Sequence, residues 1–203
     1  MIKNKRIGML TILIFVITVS SACNNKALED MDFSKTAVVK VDSSPIFLNE
    51  LMYHVTLAEL QGQLYASFLK DTDFWNKEYS KGVTMGDVMK QEAMDNAIKY
   101  ELLYHRAVDE SYSLTEEEIA SCARKVESIL KTLTKEDTER MDLTEEELLV
   151  LQKKIALSTR YYQDYFSSNN IDDETAYKEM TKGHKIKVNK KVWKQVRFGK
   201  IKK

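Results

Sequence analysis

Three cations, Lys3, Lys5 and Arg6, open the chain, and an uncharged run over residues 7–19 follows in which nothing is more polar than Thr. Charged first and apolar second is the layout of a secretory signal. The run is shorter than the roughly 20 apolar residues a membrane-spanning helix needs. Residues 24–36 are mostly polar with no sustained period, which suits a tether. Next, Ala37-Val-Val-Lys-Val41 is apolar and β-branched, Asp42-Ser-Ser-Pro45 supplies turn chemistry, and Ile46-Phe47 resumes the apolar run. This predicts a short strand, a tight turn and a second extended piece.

From Leu48 the period lengthens. Leu48, Leu51, Met52 and Val55 predict a helix running to about Leu69, with Asn49 placed to cap it. Residues 71–82 break the pattern and read as a loop containing aromatic side chains. Thr84 starts the longest candidate helix, ending near Ser111, with Met94, Ala97, Ile98 and Leu102 on one face. Thr115-Glu-Glu-Glu118 and Thr144-Glu-Glu-Glu147 are capping boxes. The first opens a helix to about Thr132, and the second opens one through Leu148, Leu151, Ile155, Tyr162 and Phe166. Residues 135–142 read as a charged connector. Asp172 or Asp173 caps a short helix closed by Gly183. Ile186 and Val188, then Val196 and Phe198, alternate with polar residues and predict one or two strands. The expected fold is mainly α, with short β-strands near both ends of the mature chain.

The small residues Ser20, Ser21 and Ala22 directly precede Cys23. Small side chains fit a peptidase's narrow subsites, and a thiol at the next position can be alkylated with diacylglycerol. Together these resemble a bacterial lipobox, with Ser20 where Leu is more common. The competing reading is an ordinary signal beside a chance cysteine. Residues 1–22 are thus expected to be the signal, 23–36 a tether lipidated at Cys23, and 37–203 one helical domain with a basic C-terminal segment. The expected location is extracytoplasmic, anchored to the cell membrane through that lipid. Losing 22 of 203 residues leaves 181, and losing three cations leaves 28 Lys and Arg against 31 Asp and Glu. Such a balance shows no bias towards nucleic acid. Cys122 then has no cysteine to pair with, and its setting among helix formers reads as a small half-buried thiol.

Candidate chemistry is sparse. The three histidines, His54, His105 and His184, are far apart in three elements, so no metal-ligand spacing exists. No phosphate-cradling glycine loop and no Gly-x-Ser-x-Gly elbow occurs, and no cofactor is implied. The glutamate triplets are explained by the positive end of the helix dipole. Residues 182–203 carry ten Lys or Arg and no Asp or Glu. They read first as a solvated strand whose lysines protect an exposed edge, and otherwise as a segment drawn to anionic headgroups or wall polymers. Phe68, Phe74, Trp75, Tyr79, Met85 and Met89 gather around the loop between the first two long helices. Flexible methionines and amphipathic rings suit a groove for unfolded segments, while a plain core role fits the same residue types.

The order of pieces resembles a known family. Residues 38–50, Thr84-Met-Gly-Asp-Val-Met-Lys90, residues 93–107 and Leu114-Thr-Glu-Glu-Glu118 look like the N-terminal chaperone region of the SurA, PrsA and trigger-factor group of foldases. Val41, Ile46 and Glu50 match that family's turn, while Ser43 or Ser44 stands where it commonly has glycine. The likeness covers about residues 37–132. Full members add a glycine-rich parvulin prolyl-isomerase domain of about 90 residues with paired histidines, and only Gly183 and Gly199 follow Gly86 here. The resemblance therefore implies a chaperone module that binds unfolded exported polypeptides without isomerase chemistry. A degenerate isomerase and a structural lipoprotein holding one partner are the alternatives.

Overall fold

The computed structural model describes residues 28–198, so the signal, Cys23 and the last five residues lie outside it. A 3-10 turn at Leu28–Asp30 leads to β1 (Ala37–Val41), which turns back into β2 (Ser44–Phe47). The turn is closed by Asp42 in the left-handed region, φ 54°, a conformation Asp tolerates better than most residues. β2 runs directly into α1 (Leu48–Leu69), and a left-handed Lys70 ends that helix. A 3-10 turn at Phe74–Asn76 and a hairpin of β3 (Glu78–Ser80) and β4 (Val83–Thr84) connect it to α2 (Met85–Asp109). Then come α3 (Glu116–Thr132), α4 (Lys135–Met141), α5 (Glu145–Tyr162) with a π-helical turn at Gln163–Ser167, α6 (Asp173–Thr181), β5 (Ile186–Val188) and α7 (Lys190–Trp193). Among the described residues the protein is mainly helical, as the periodicity predicts.

The two ends of the described chain meet in one antiparallel sheet of order β2-β1-β5. Val39 pairs with Ile46 on one side and Val188 on the other. Val38, Val39, Val41 and Ile46 are buried beneath α1 and α2, in a core completed by Leu102, Tyr161, Phe166, Met180 and Val192. A second cluster joins Tyr53 of α1 to Val126, Leu133, Met141, Leu148 and Ile155. A third, small one holds Ala66, Phe74 and Met89.

Several expectations are corrected. Residues 135–142 are not a connector: Thr134 accepts from the Asp137 N–H while the Asp137 carboxylate accepts from Thr134 N–H, a capping box that opens α4. Met141 is fully buried and, with Arg140 bonded to the buried Glu59, holds that helix to the body, while Lys135, Glu136 and Glu139 face out. Thr-x-x-Asp caps a helix by the same pair of bonds as Thr-x-x-Glu, with a shorter acid at the third position. Thr84 and Asp87 form another such box. Asn49 does not cap α1, which starts one residue earlier after Phe47, and Asn49 is itself buried. The aromatic loop contains a 3-10 turn and β3, which pairs with β4 just beyond it. The folded body also begins before Ala37, because Leu28, Met31 and Phe33 pack against the main core.

Val196 and Phe198 form no strand. β5 already closes the sheet, and the carbonyls of that stretch find cations instead: Lys90 Nζ donates to Val196 O at 2.5 Å and Arg140 Nη2 to Arg197 O at 2.9 Å. Val196 is buried, and Phe198 rests on Trp75 with ring centroids 5.3 Å apart.

Gly62 marks the closest approach in the third cluster. A Cβ there would stand 2.8 Å from Trp75 Cζ3 and 2.9 Å from Met89 Sδ. Alanine gains up to about 1 kcal/mol of helix propensity, and overpacking costs about 1–3 kcal/mol. With Trp75 wedged between Phe74 and Phe198, the clash wins. Gly62→Ala should lower unfolding free energy by about 1–2 kcal/mol in urea titration and change tryptophan emission; an unchanged or raised midpoint would show that the ring yields freely.

Candidate polypeptide-binding surface

The six side chains expected to bind peptide are divided by the structure. Phe74 and Met89 are buried, at 4% and 6% exposure, and cannot touch a guest. Trp75 and Met85 pack half-buried against them. Those four are the small core that holds the loop to α1. Phe68 and Tyr79 stand outside it, at 84% and 59% exposure.

Phe68 belongs to a longer pattern. Tyr53, Leu57, Leu60, Leu64 and Phe68 recur at spacings of four, three, four and four, which is one face of a helix. Tyr53, Leu57 and Leu60 are covered by the second cluster, from α3, α4 and α5. One turn further on the cover ends. Leu64 is 71% exposed, and beside the stripe Tyr65 and Leu69 are also exposed. Burying a large apolar side chain is worth about 1.5–3 kcal/mol, so these four forgo stabilisation comparable to the whole stability of a small domain. Single exposed apolar residues are ordinary, but a contiguous set marks an interaction surface.

The stripe runs out of a cleft. A hollow of about 1520 Å³ has Leu28, Met31, Phe33, Met52 and Leu60 among its apolar lining. One wall is α4, and the other is the C-terminal stretch with Lys194 and Arg197. Arg140 of α4 bonds the fully buried carboxylate of Glu59 in α1 and fixes the first wall. The volume exceeds the 300–1,000 Å³ of small-molecule pockets, and an open trough of this kind accommodates a chain segment better than a compact ligand.

A second concentration of polar groups lies between α1, α2 and α5. Lys154 Nζ is 2.6 Å from Glu50 Oε1 and also bonds Glu101. Glu101 Oε1 is 2.9 Å from His105 Nε2, which lies 3.0 Å from Ser44 Oγ. Serine, histidine and a carboxylate in contact suggest nucleophilic catalysis, but that relay needs serine and acid on opposite ring nitrogens. Here both share Nε2. Burial opposes the Lys154 charge, yet Glu50 and Glu101 outweigh it and raise its pKa. Burial pushes the Glu50 carboxyl up, against the pull of Lys154. The seam ties three helices together, and sequence spacing gives no hint of it, since its members lie some fifty residues apart.

Among the described residues no three His, Cys, Asp or Glu side chains are grouped to hold a metal, and no helix is long and apolar enough to cross a membrane. Cys122 is buried, donates to the Gln152 carbonyl at 3.7 Å, and has its thiol pKa pushed up by burial. No family model, curated protein or solved structure matches the chain.

His54 is buried beside this seam, stacked on Tyr100 at 5.7 Å between centroids, with Nε2 lacking a hydrogen-bond partner among the described residues. Burial, with the nearby Lys154 charge adding to it, drives its pKa from 6.5 down to about 3. The unfolded chain therefore binds a proton below about pH 6.5 that the folded protein refuses, so stability falls as pH drops from there towards 3. The limiting slope is about 1.4 kcal/mol per pH unit. Urea titrations of the parent and of His54→Phe at pH 7, 6 and 5 should show the parent losing stability faster on acidification; parallel curves would mean His54 becomes charged in place. Comparing the two cancels the opposite contribution of Glu50.

Proposed function

We propose that this protein is a lipid-anchored, extracytoplasmic holdase that shelters apolar segments of unfolded exported polypeptides, without isomerase chemistry of its own. The observation that carries the reading is the α1 stripe: it packs against the second cluster through buried Tyr53 and half-buried Leu57 and Leu60, and is bare at Leu64 and Phe68. Tyr79 of the hairpin adds a further exposed ring. The cleft that meets the stripe at Leu60 extends the surface with an apolar floor. A guest that buries even half of these side chains gains several kcal/mol, and the exposed stripe itself, Leu64 and Phe68, carries no polar group to impose orientation, which supports weak and broad binding.

The strand-turn-strand-helix order of β1, β2 and α1, followed by the capped helices α2 and α3, supports a module of the SurA, PrsA and trigger-factor kind. The sheet that pairs β1 with β5 draws both ends of the chain together, as expected of a helical cradle closed by terminal strands. The export signal and acylation at Cys23 lie outside the described residues and rest on the sequence pattern.

The test uses the mature chain, residues 23–203, mixed with a chemically denatured client diluted into buffer. The parent should slow light scattering at stoichiometric amounts. Leu64→Ser combined with Phe68→Ser should abolish most of that effect while shifting stability by less than about 0.5 kcal/mol, since both sites are surface positions. A folded parent that neither slows aggregation nor binds unfolded peptide would remove the proposal, and turnover of a proline peptide above the uncatalysed rate would replace it with an enzymatic one. Crosslinking in cells separates the remaining alternative, because one dominant adduct denotes a dedicated partner and a smear denotes many clients.

A further inference from the structure

Residues 24–27 are all that separate Cys23 from Leu28, the first described residue. Five backbone steps reach at most about 18 Å, half the roughly 38 Å length of a 25-residue helix such as α2. If Cys23 carries the lipid, as proposed above and as the orientation argued here requires, the side of the body around Leu28 is held against the bilayer. Leu28 and Glu29 line the cleft together with Lys194, Gln195 and Arg197. The basic C-terminal stretch thus lies next to the point where the chain leaves for the membrane.

Edge protection accounts for only part of that stretch. β5 is an edge strand, and only Lys185 and Lys187 stand on or beside it. Lys190, Lys191, Lys194 and Arg197 come after it, and all four are exposed. None forms an ion pair with a described residue. Val192 and Val196 alternate with them and are buried at 6% and 1%. The segment is therefore pinned to the core by one face and presents cations on the other. Of the acids lining the cleft, Glu139 on the α4 wall is engaged 3.5 Å from Lys135, and Glu29 stands beside Leu28 without an ion pair to these cations. Holding unpaired like charges together costs self-repulsion, and an anionic surface reverses the sign of that term.

We propose that this basic face, Lys190, Lys191, Lys194 and Arg197, docks the anchored body onto anionic phospholipid headgroups. Each cation close to such a surface contributes about 1 kcal/mol, or about fivefold in binding. Docking fixes the orientation of the body on the bilayer.

The test is co-sedimentation of residues 23–203 carrying Cys23→Ser, which contain the whole described body and need no acylation. Vesicles of phosphatidylcholine with phosphatidylglycerol should pull the protein down, and vesicles of phosphatidylcholine alone should not. Raising salt from 0.1 M to 1 M, which shortens the Debye length from about 10 Å to about 3 Å, should release it. Lys190→Gln, Lys191→Gln and Lys194→Gln together should weaken binding about 100-fold, with circular dichroism and thermal midpoint unchanged. Equal binding to both vesicle types, or indifference to salt, overturns the proposal even if the triple variant misfolds. Equally tight binding to free poly(glycerol phosphate) also overturns it, by assigning the face to a soluble polymer. Palmitate labelling of the full chain in cells reports on the anchor alone, so intact acylation without vesicle binding removes the docking face and leaves the anchor standing.

Discussion

Alpha1 is longer than its cover, and the rest of the architecture follows from that mismatch. Its 22 residues extend for about 33 Å, but the second cluster packs on its outer face only as far as Leu60. In its first three turns the helix is almost wholly buried, with Leu48, Leu51 and Val55 at 0% exposure. Two carboxylate contacts hold that half in place, Glu50 to Lys154 and Glu59 to Arg140, and the same lysine also bonds Glu101 of α2. Removing one member of a buried ion pair typically costs about 3–5 kcal/mol because the other is left uncompensated. The seam therefore fixes which part of α1 is interior, and by subtraction which part is free.

The free part is not left floppy. Gly62 lets Trp75 lie against the helix, Phe74 and Met89 fill the space around Ala66, and Phe198 closes over Trp75. One side of the projecting end is braced by the loop and by the C-terminal stretch. Its opposite side, with Leu64 and Phe68, is left uncovered by the described residues. A braced but uncovered helix can present apolar side chains without the entropy cost of ordering them on binding. That arrangement distinguishes an interaction surface from a helix end that has frayed.

How much of this could be read from the sequence depended on whether the signal was local. Capping chemistry is local, and it placed the starts of α3 and α5 to the residue. Periodicity is local too, and it set α1 and α2 within a residue or two of their ends. The expected strand at Val196 failed because the alternation was real but the partner was missing: those valine and phenylalanine side chains face inward from coil, and the carbonyls bond Lys90 and Arg140. The candidate site shows the same division. Sequence located the aromatic loop correctly but gave no means of separating Phe74 and Met89, which face α1, from Phe68 and Tyr79, which face solvent. The Leu57, Leu60, Leu64, Phe68 stripe was legible as a period. Its significance was not, because it depends on where α4 stops.

The charges of the cleft obey a similar logic of place. Asp137 and Glu59 are buried and spoken for, one in its capping box and the other by Arg140. Across the hollow, the C-terminal stretch has its hydrophobic side chains committed to the core and its carbonyls committed to Lys90 and Arg140, so only its cations remain uncommitted. A near-neutral protein gains nothing for its fold by concentrating such charges on one segment, since they repel one another and stabilise no neighbour. Under the proposed acylation of Cys23, their position beside Leu28 gives them something to act on, because so short a route would not hold that side of the molecule far from a bilayer. Attraction by these cations and apolar contact along α1 use different physics, one weakened by salt and the other not, so salt tells the two apart.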